Sequence, residues 1–259
     1  MNPLGQPTYT VVTCHFGDTF WIEHMLKQID ALSGPEIVDV IVVDQSRLTS
    51  TFLQGLPRVS EVISFPLDED QAAILGHDHP SSLNRALRQI NFRTSHVLVM
   101  DSDCFPIDGS WISHLQNVTL ASDPSYGSLS HPCLMCFPVS CAASLDFSQG
   151  ISTIGIDTGR LVALQISQLG LPINWAKPTV ANHGYRGHYY LEGSTYHHGS
   201  ASFVSSSDPR LTRQVDARRE QSYKKKIAAG NYHFSLLDLL GYKLAGLRRK
   251  ITRVLKKAR

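Results

Sequence analysis

The sequence has no long apolar run and few charged residues for its length. No apolar stretch of the 259-residue chain reaches the ~18 residues that a membrane-spanning helix requires. Residues 1–7 show neither the basic nor the apolar region of a secretory signal peptide, so a cytoplasmic location is expected. Charged residues make up 18% and hydrophobic residues 42% of the chain, a balance that excludes wholesale disorder.

Cysteine is scarce, and its pattern does not indicate a disulfide framework. The chain has five cysteines, an odd number, which favours reduced thiols in a cytoplasm. Cys133 and Cys136 form a CxxC motif, but the second pair that a structural zinc site usually needs is missing. Apolar packing of these small thiols is the favoured interpretation.

Charge is distributed unevenly along the chain. The formal net charge is +2, yet 15 of the 24 Lys and Arg residues lie in residues 209–259, and residues 1–208 are acidic. An acidic body does not suit a nucleic-acid groove, so no nucleic-acid partner is expected. We expect one domain over residues 1–208 and a basic helical extension over residues 209–259.

The order of apolar segments predicts the fold class. Strands are expected at residues 9–14, 38–43, 62–65 and 96–100, with helices at residues 20–32 and 81–91. Helices at residues 111–120 and 157–169 follow, with strands broken by turns at 128–140 and one or two short strands at 187–204. Continuous apolar strands alternating with helices indicate a doubly wound, mostly parallel α/β sheet.

Two carboxylates directly follow the most apolar predicted strand. Asp101 and Asp103 flank Ser102 at its carboxyl end, where open α/β sheets bind ligands. Buried carboxylates this close repel each other, and oxygen ligands favour Mg²⁺ or Mn²⁺. The alternative is an Asx-turn that only closes the strand. A late histidine pair, His197 and His198, would suit Mn²⁺ beside such carboxylates, or would be ordinary core or surface histidines.

Three segments in this order resemble a known family. Val42-Val43-Asp44-Gln45-Ser46, Ser81-Ser82-Leu83-Asn84-Arg85-Ala86-Leu87 and Val97-Leu98-Val99-Met100-Asp101-Ser102-Asp103 resemble the family 2 glycosyltransferases of GT-A fold. The resemblance covers residues 8–205. It implies a Rossmann-like half for the donor nucleotide over residues 8–104 and an acceptor and catalytic half over residues 105–208. It also implies metal-dependent transfer of a hexose-type sugar from a nucleotide sugar, as in polysaccharide or glycolipid biosynthesis.

The resemblance assigns roles to individual positions. The implied donor-nucleotide contacts are Thr13, His15, Asp44, Ser46, Asn84, Arg85, Asp101 and Ser102. The implied metal ligands are Asp101, Asp103 and His198, with His198 preferred to His197 because it directly precedes a predicted turn at Gly199-Ser200. Mn²⁺ or Mg²⁺ is the implied cofactor.

The implied catalytic base is Asp157. Ile156 stands where the family often has a glutamate, and an aspartate that opens a helix is also a favoured N-cap. Asp146 and Glu192 are the substitutes for this role. The resemblance implies direct displacement with inversion. A QxxRW motif is missing from the sequence, which favours one transfer per encounter over processive synthesis.

The last 26 residues predict a basic amphipathic helix. Apolar residues recur at spacings of three, four and seven over residues 234–259, with Lys and Arg between them. Such a helix lies on an anionic membrane surface, at the inner face of the membrane here, or packs on the body. The first reading suits a lipid-linked rather than a free saccharide acceptor. Vesicle sedimentation of a chain that lacks residues 234–259 distinguishes the two readings.

Two further function classes stay open at this point. A nucleotidyltransferase has a similar sheet and paired aspartates, but it usually carries a glycine-rich basic loop, and residues 13–18 contain no Lys or Arg. A non-catalytic protein that binds nucleotide sugars or acts as a scaffold would also keep this fold. Comparing sugar-nucleotide hydrolysis between the wild type and Asp103→Ala separates these classes.

Overall fold

Segments rich in β-branched residues form the strands of a seven-stranded sheet. The computed structural model describes residues 7–46, 50–66, 79–115, 120–122, 131–148, 158–180, 187–199 and 217–232. The strands of this sheet are β1 (Tyr9–His15), β2 (Ile37–Asp44), β3 (Val59–Ser64), β4 (His96–Met100), β6 (Leu120–Ser122), β7 (His131–Pro138) and β8 (Asn174–Ala176). A second, four-stranded sheet contains β5 (Cys104–Pro106), β9 (Thr179–Val180), β10 (His188–Tyr190) and β11 (Thr195–His197).

The strand order places four parallel strands side by side. The large sheet runs β3-β2-β1-β4-β7-β6-β8, and its first four strands are parallel to one another. Strand β7 is antiparallel to β4 and to β6, and β8 is parallel to β6. The small sheet runs β5-β11-β10-β9 and is antiparallel throughout. The predicted mostly parallel α/β architecture is confirmed, with an antiparallel strand inserted beyond β4.

Helices cover both faces of the large sheet. They are α1 (Thr19–Leu32), α2 (Ser50–Gln54), α3 (His79–Gln89), α4 (Val139–Ala142), α5 (Val162–Gln168) and α6 (Ala217–Ala228), with 3₁₀ helices at Gly109–Leu115 and Leu191–Gly193. The apolar stripe of α1 packs in one buried cluster with Val11, and that of α3 packs in another with Val12. Because successive strand residues point to opposite faces, each central strand contributes to both clusters.

Two predicted segments take a different form in the structure. The predicted helix at 111–120 is a 3₁₀ helix that ends at Leu115, and Leu120 begins β6. The broken strands predicted at 128–140 are one strand, His131–Pro138, in the part of that segment that the structure describes. Its proline at 132 falls where the pairing with β6 shifts register, a place where a strand tolerates the missing N–H.

The predicted helix at 157–169 begins only at Val162. Gly159 has a φ of 68°, a left-handed conformation that an α-helix cannot contain, so residues 158–161 form turns instead. Asp157 itself lies outside the described residues. The residue at the N-cap of α5 is Leu161.

Residues beyond the predicted domain end at 208 also pack on the body. Tyr223 and Ile227 of α6, and Tyr232 after it, are buried in the same cluster as the apolar stripe of α1. The amphipathic helix predicted at residues 234–259 lies outside the described residues. Among the helices that the structure describes, none combines the length and apolar character needed to cross a bilayer.

Candidate metal and donor site

Asp101, Asp103 and His197 meet at one end of the parallel strands. Each offers a ligand atom, and these atoms lie within 4.8 Å of one another. The Nε2 atom of His197 is 3.4 Å from Asp103 Oδ1 and 3.7 Å from Asp101 Oδ2. This set joins residues that are almost 100 positions apart in the sequence. We call it the metal group.

Backbone hydrogen bonds and strand pairing position the three residues of the metal group. Asp101 follows β4, and its N–H donates to the carbonyl of Cys133 in β7 at 3.2 Å. The N–H of Cys104 donates to the Asp101 carbonyl at 2.8 Å, which closes a tight turn around the two aspartates. Strand β5 then pairs with β11, and this register sets Cys104 opposite His197. The turn and the pairing together bring the imidazole to the carboxylates.

The metal group is largely buried and rich in negative charge. The exposed fraction of the side chain is 7% for Asp103, 8% for His197 and 19% for Asp101. Burial alone lowers the pKa of His197, but Cys133 and the Asp103 carboxylate outweigh it and raise that pKa well above its usual value. The negative charge of the two carboxylates attracts a cation. Two carboxylates and one imidazole are a ligand set that suits a divalent cation such as Mn²⁺.

The histidine that lies beside the two aspartates is His197, whereas the sequence-based choice was His198. His197 is the last residue of β11 and pairs with Cys104, whereas His198 follows the strand. His198 is buried, its ring stacks on Trp21 with centroids 4.4 Å apart, and its Nδ1 lies 3.1 Å from the Tyr196 hydroxyl. Its backbone N–H donates to the Asp103 carbonyl at 3.0 Å. His198 therefore supports the turn that holds Asp103, from the side of α1.

Asp44 lies fully buried at the carboxyl end of β2. Its Oδ1 accepts from the N–H of Ser46 at 3.0 Å and from the Ser46 hydroxyl at 2.9 Å, and its Oδ2 accepts from the Ser50 hydroxyl. These bonds form an Asx-type turn that shapes the loop after β2. Both oxygens of this buried carboxylate therefore have hydroxyl donors.

Buried polar atoms without partners collect at the ends of β1 and β2. Within the described part of the chain, Thr13 Oγ1, His15 Nε2 and Gln45 Oε1 have no hydrogen-bond partner. Burial lowers the pKa of His15, although Asp44 and Asp18 oppose this, so its imidazole is neutral. An unsatisfied buried polar group destabilises a fold by ~1–3 kcal/mol. A polar ligand at this edge would remove that penalty.

Gln45 is a site residue that sequence reasoning missed. Its Nε2 donates to the Ser82 hydroxyl of α3 at 3.0 Å, and this bond fixes the amide next to the unpartnered atoms of β1. The available signal was its position directly after Asp44, at the end of an apolar strand.

Asn84 and Arg85 have other partners in the structure. Asn84 Nδ2 donates to Asp146 Oδ1 at 2.7 Å, and Asn84 Oδ1 accepts from the Phe147 N–H at 2.9 Å. Both ends of this buried amide therefore tie α3 to the segment before α5. Arg85 is exposed, and its guanidinium lies 3.9 Å from the centroid of the Phe65 ring. Ser102 is half-buried between the two aspartates.

We expect Asn84→Ala to destabilise the protein without changing ligand binding. The change leaves the buried Phe147 N–H unsatisfied, so urea unfolding should show a loss of ~1–3 kcal/mol in the free energy of unfolding. Arg85→Ala is the matched control on the same helix, with an expected loss of about 1 kcal/mol or less. A variant with wild-type stability and weakened nucleotide binding would instead place Asn84 in direct contact with the donor.

Of the three candidate general bases, the structure describes Asp146 and Glu192. Asp157 lies outside the described residues. Asp146 is held by Asn84 and by the hydroxyl and N–H of Ser148. Burial raises the pKa of Asp146, but these hydrogen bonds and Arg88 outweigh it and lower that pKa, which makes this carboxylate a weak base. Glu192 is exposed, with a φ of 56°, in the link between β10 and β11.

Comparison with known proteins supports the fold. No family model and no curated protein matches the chain. Among solved structures, it is similar to the mannosyltransferase PcManGT from Pyrobaculum calidifontis in complex with GDP-Man and Mn²⁺, at 18% identity and a TM-score of 0.50. That match covers 71% of this chain and 60% of the mannosyltransferase, so the chain spans about three fifths of that protein's length.

A second similar structure is glucosyl-3-phosphoglycerate synthase from Mycobacterium tuberculosis in complex with Mn²⁺, UDP and glucosyl-3-phosphoglycerate. The two sequences are 17% identical, and the TM-score is 0.43. The match covers 66% of this chain and 70% of the synthase. The fold assignment rests on the mannosyltransferase and on the strand order described above. The chain has the α/β fold of the GT-A glycosyltransferases.

Proposed function

We propose that the protein is a metal-dependent glycosyltransferase that moves a sugar from a nucleotide sugar to an acceptor hydroxyl. The observation that supports this most directly is the metal group at the carboxyl end of the parallel strands of a GT-A fold. Open α/β sheets bind nucleotides at this end, and the metal group lies beside the orphaned polar atoms of β1 and β2. The similar mannosyltransferase was solved with a nucleotide sugar and Mn²⁺, which agrees with the proposal.

Asp101, Asp103 and His197 would hold Mn²⁺ or Mg²⁺. The bound ion would supply positive charge for the diphosphate of the donor. The three side chains contribute pre-organisation, because their backbone turn and strand pairing fix them before any ligand arrives. Asp103, the more buried of the two aspartates, is the proposed direct ligand.

The nucleoside would lie over the ends of β1 and β2. Thr13 and His15 would line one side of its pocket, and Gln45 would line the other. Asp44 and Ser46 shape the loop between them through their mutual hydrogen bonds. Such contacts would pair the buried polar atoms and would exclude water from the donor.

Asp157 is the proposed general base. Its carboxylate would take the proton of the acceptor hydroxyl as that oxygen forms a bond to the anomeric carbon. The bond from that carbon to the diphosphate breaks in the same step, and the nucleoside diphosphate leaves with the electron pair. The acceptor would be a saccharide or a lipid-linked saccharide, and the configuration of the sugar would invert.

A thermal-shift screen tests the proposal. We expect UDP or GDP to raise Tm when Mn²⁺ is present and not when EDTA replaces it. A ligand at about 100 times its Kd adds ~2.7 kcal/mol to the free energy of unfolding, if it binds only the folded state. For a chain of this size that corresponds to a shift of about 5–10 °C. Equal shifts with and without Mn²⁺, or no shift with any nucleoside diphosphate, would contradict the proposal.

A further inference from the structure

Helix α6 packs against the same structural elements that hold the metal group. Tyr223 is buried, and its ring meets that of His198 edge-on with centroids 5.3 Å apart. After the helix, the Tyr232 carbonyl accepts from the buried Tyr189 hydroxyl of β10 at 2.7 Å. These contacts hold the middle of α6 against His198, and the segment after the helix against the small sheet. The first helix of the basic extension is therefore part of the wall around the site.

The side chain of Lys224 extends from α6 toward the start of α1. Its side chain is only 13% exposed, and its ammonium forms an ion pair with Asp18 Oδ2. The other oxygen of Asp18 accepts from the Phe20 N–H at 3.0 Å and caps α1. The ammonium also lies 5.3 Å from the Phe20 ring centroid and 6.0 Å from that of Trp21. A largely buried ammonium needs such partners, because desolvation disfavours its charge.

Short contacts connect Lys224 to the donor edge. Asp18 ends the loop that starts after His15, whose Nε2 is buried and has no hydrogen-bond partner among the described residues. The Trp21 ring near the ammonium stacks on His198, and the His198 N–H donates to the carbonyl of Asp103. Lys224 thus stands beside the loop that joins β1 to α1, at the carboxyl end of the sheet.

A bound diphosphate would need positive charge beyond that of the divalent ion. The two carboxylates of the metal group neutralise a divalent ion, so the negative charges of a bound diphosphate would have no counter-charge from that pair. The N-terminus of α1 contributes about half a positive charge at the same loop. A lysine held there by one carboxylate can exchange that partner for phosphate oxygens, which accept the same hydrogen bonds.

We propose that Lys224 is a diphosphate-binding residue that the basic extension supplies to the donor site. In the ligand-free protein Asp18 holds the ammonium in place, and the donor's phosphate oxygens take over as its partners when the donor binds. This inference rests on the proposed function, because it assumes that the ligand is a nucleoside diphosphate or its sugar ester.

Calorimetry on variants of the full chain tests this assignment. The probes are UDP and GDP with Mn²⁺, and uridine and guanosine as ligands without phosphate. We expect Lys224→Gln to weaken binding of the diphosphate at least 10-fold and to leave nucleoside binding unchanged. Lys224→Arg should stay within about threefold of the wild type, since it keeps the charge. Lys225→Gln, an exposed neighbour on α6, is the matched control and should change nothing.

Asp18→Asn provides an independent test that does not depend on removing the lysine. Asparagine is as good an N-cap as aspartate, so α1 keeps its cap while Lys224 loses its charged partner. We expect diphosphate binding to tighten at least threefold, because no carboxylate then competes for the ammonium. Weaker or unchanged binding in this variant would overturn the assignment.

The outcomes separate this inference from the proposed function. A wild-type protein that binds neither UDP nor GDP with Mn²⁺ would overturn both. A wild type that binds, together with a Lys224→Gln variant that has lower Tm and unchanged affinity, would overturn only the role of Lys224 and leave it as a structural ion pair. Equal weakening of nucleoside and nucleoside diphosphate would do the same.

Discussion

Replacing Asp103 by asparagine is expected to weaken Mn²⁺ binding by about 100-fold or more and to abolish Mn²⁺-dependent hydrolysis of sugar nucleotides. The amide keeps the size and the shape of the side chain but removes one of the two charges that attract the ion. The change removes the repulsion between two close carboxylates and also the attraction of Asp103 for the His197 imidazolium. Mn²⁺ affinity is measured by titration, with free Mn²⁺ followed by electron paramagnetic resonance.

Asp108→Asn is the matched control for this experiment. Asp108 is exposed, lies five positions further along the chain, and accepts from the Ser110 N–H at 2.8 Å, a bond that asparagine can replace. We expect wild-type Mn²⁺ affinity and hydrolysis in the control. If the Asp103 and Asp108 variants bind Mn²⁺ equally well, the metal group is not a metal site and the proposed function loses its support.

The two adjacent histidines should respond in opposite ways to the same substitution. We expect His197→Gln to lower Mn²⁺ affinity by about 10–100-fold, because it removes the imidazole that faces both aspartates. His198→Gln should keep Mn²⁺ affinity within about threefold of the wild type. It should lose ~1–3 kcal/mol of stability, since the ring fills the space between Trp21 and Tyr223.

Metal titration and urea unfolding of both variants check this pair of predictions. Each protein serves as the control for the other, because the substitution is identical and the positions are adjacent. Loss of Mn²⁺ affinity in the His198 variant alone would restore the choice made from the sequence. Equal losses in both variants would indicate that the segment as a whole, rather than one imidazole, supports the site.

The parallel half of the fold was predictable because its signals are local. Apolar β-branched runs gave β1, β2 and β4 within one or two residues, and α1 follows from its apolar spacing and the Gly-Pro that ends it. Asp101 and Asp103 could also be singled out from the sequence, since they directly follow its most apolar predicted strand.

The remainder depends on contacts between distant residues. Which of two adjacent histidines faces the carboxylates is set by the pairing of β11 with β5, and periodicity within a three-residue strand cannot reveal it. The contact between Lys224 and Asp18 joins positions 206 residues apart, so no local pattern predicts it. Gly159 breaks the predicted helix through its backbone conformation, for which the sequence shows only a glycine.

The docking of α6 has a consequence for how the protein is made. The loop after β1 is synthesised early, but the residues that cover it at Tyr223, Lys224 and Tyr232 are synthesised more than 200 positions later. This wall therefore closes only after residues 223–232 have been synthesised. Until then the rings of Trp21 and His198 lack their contacts with Lys224 and Tyr223, respectively.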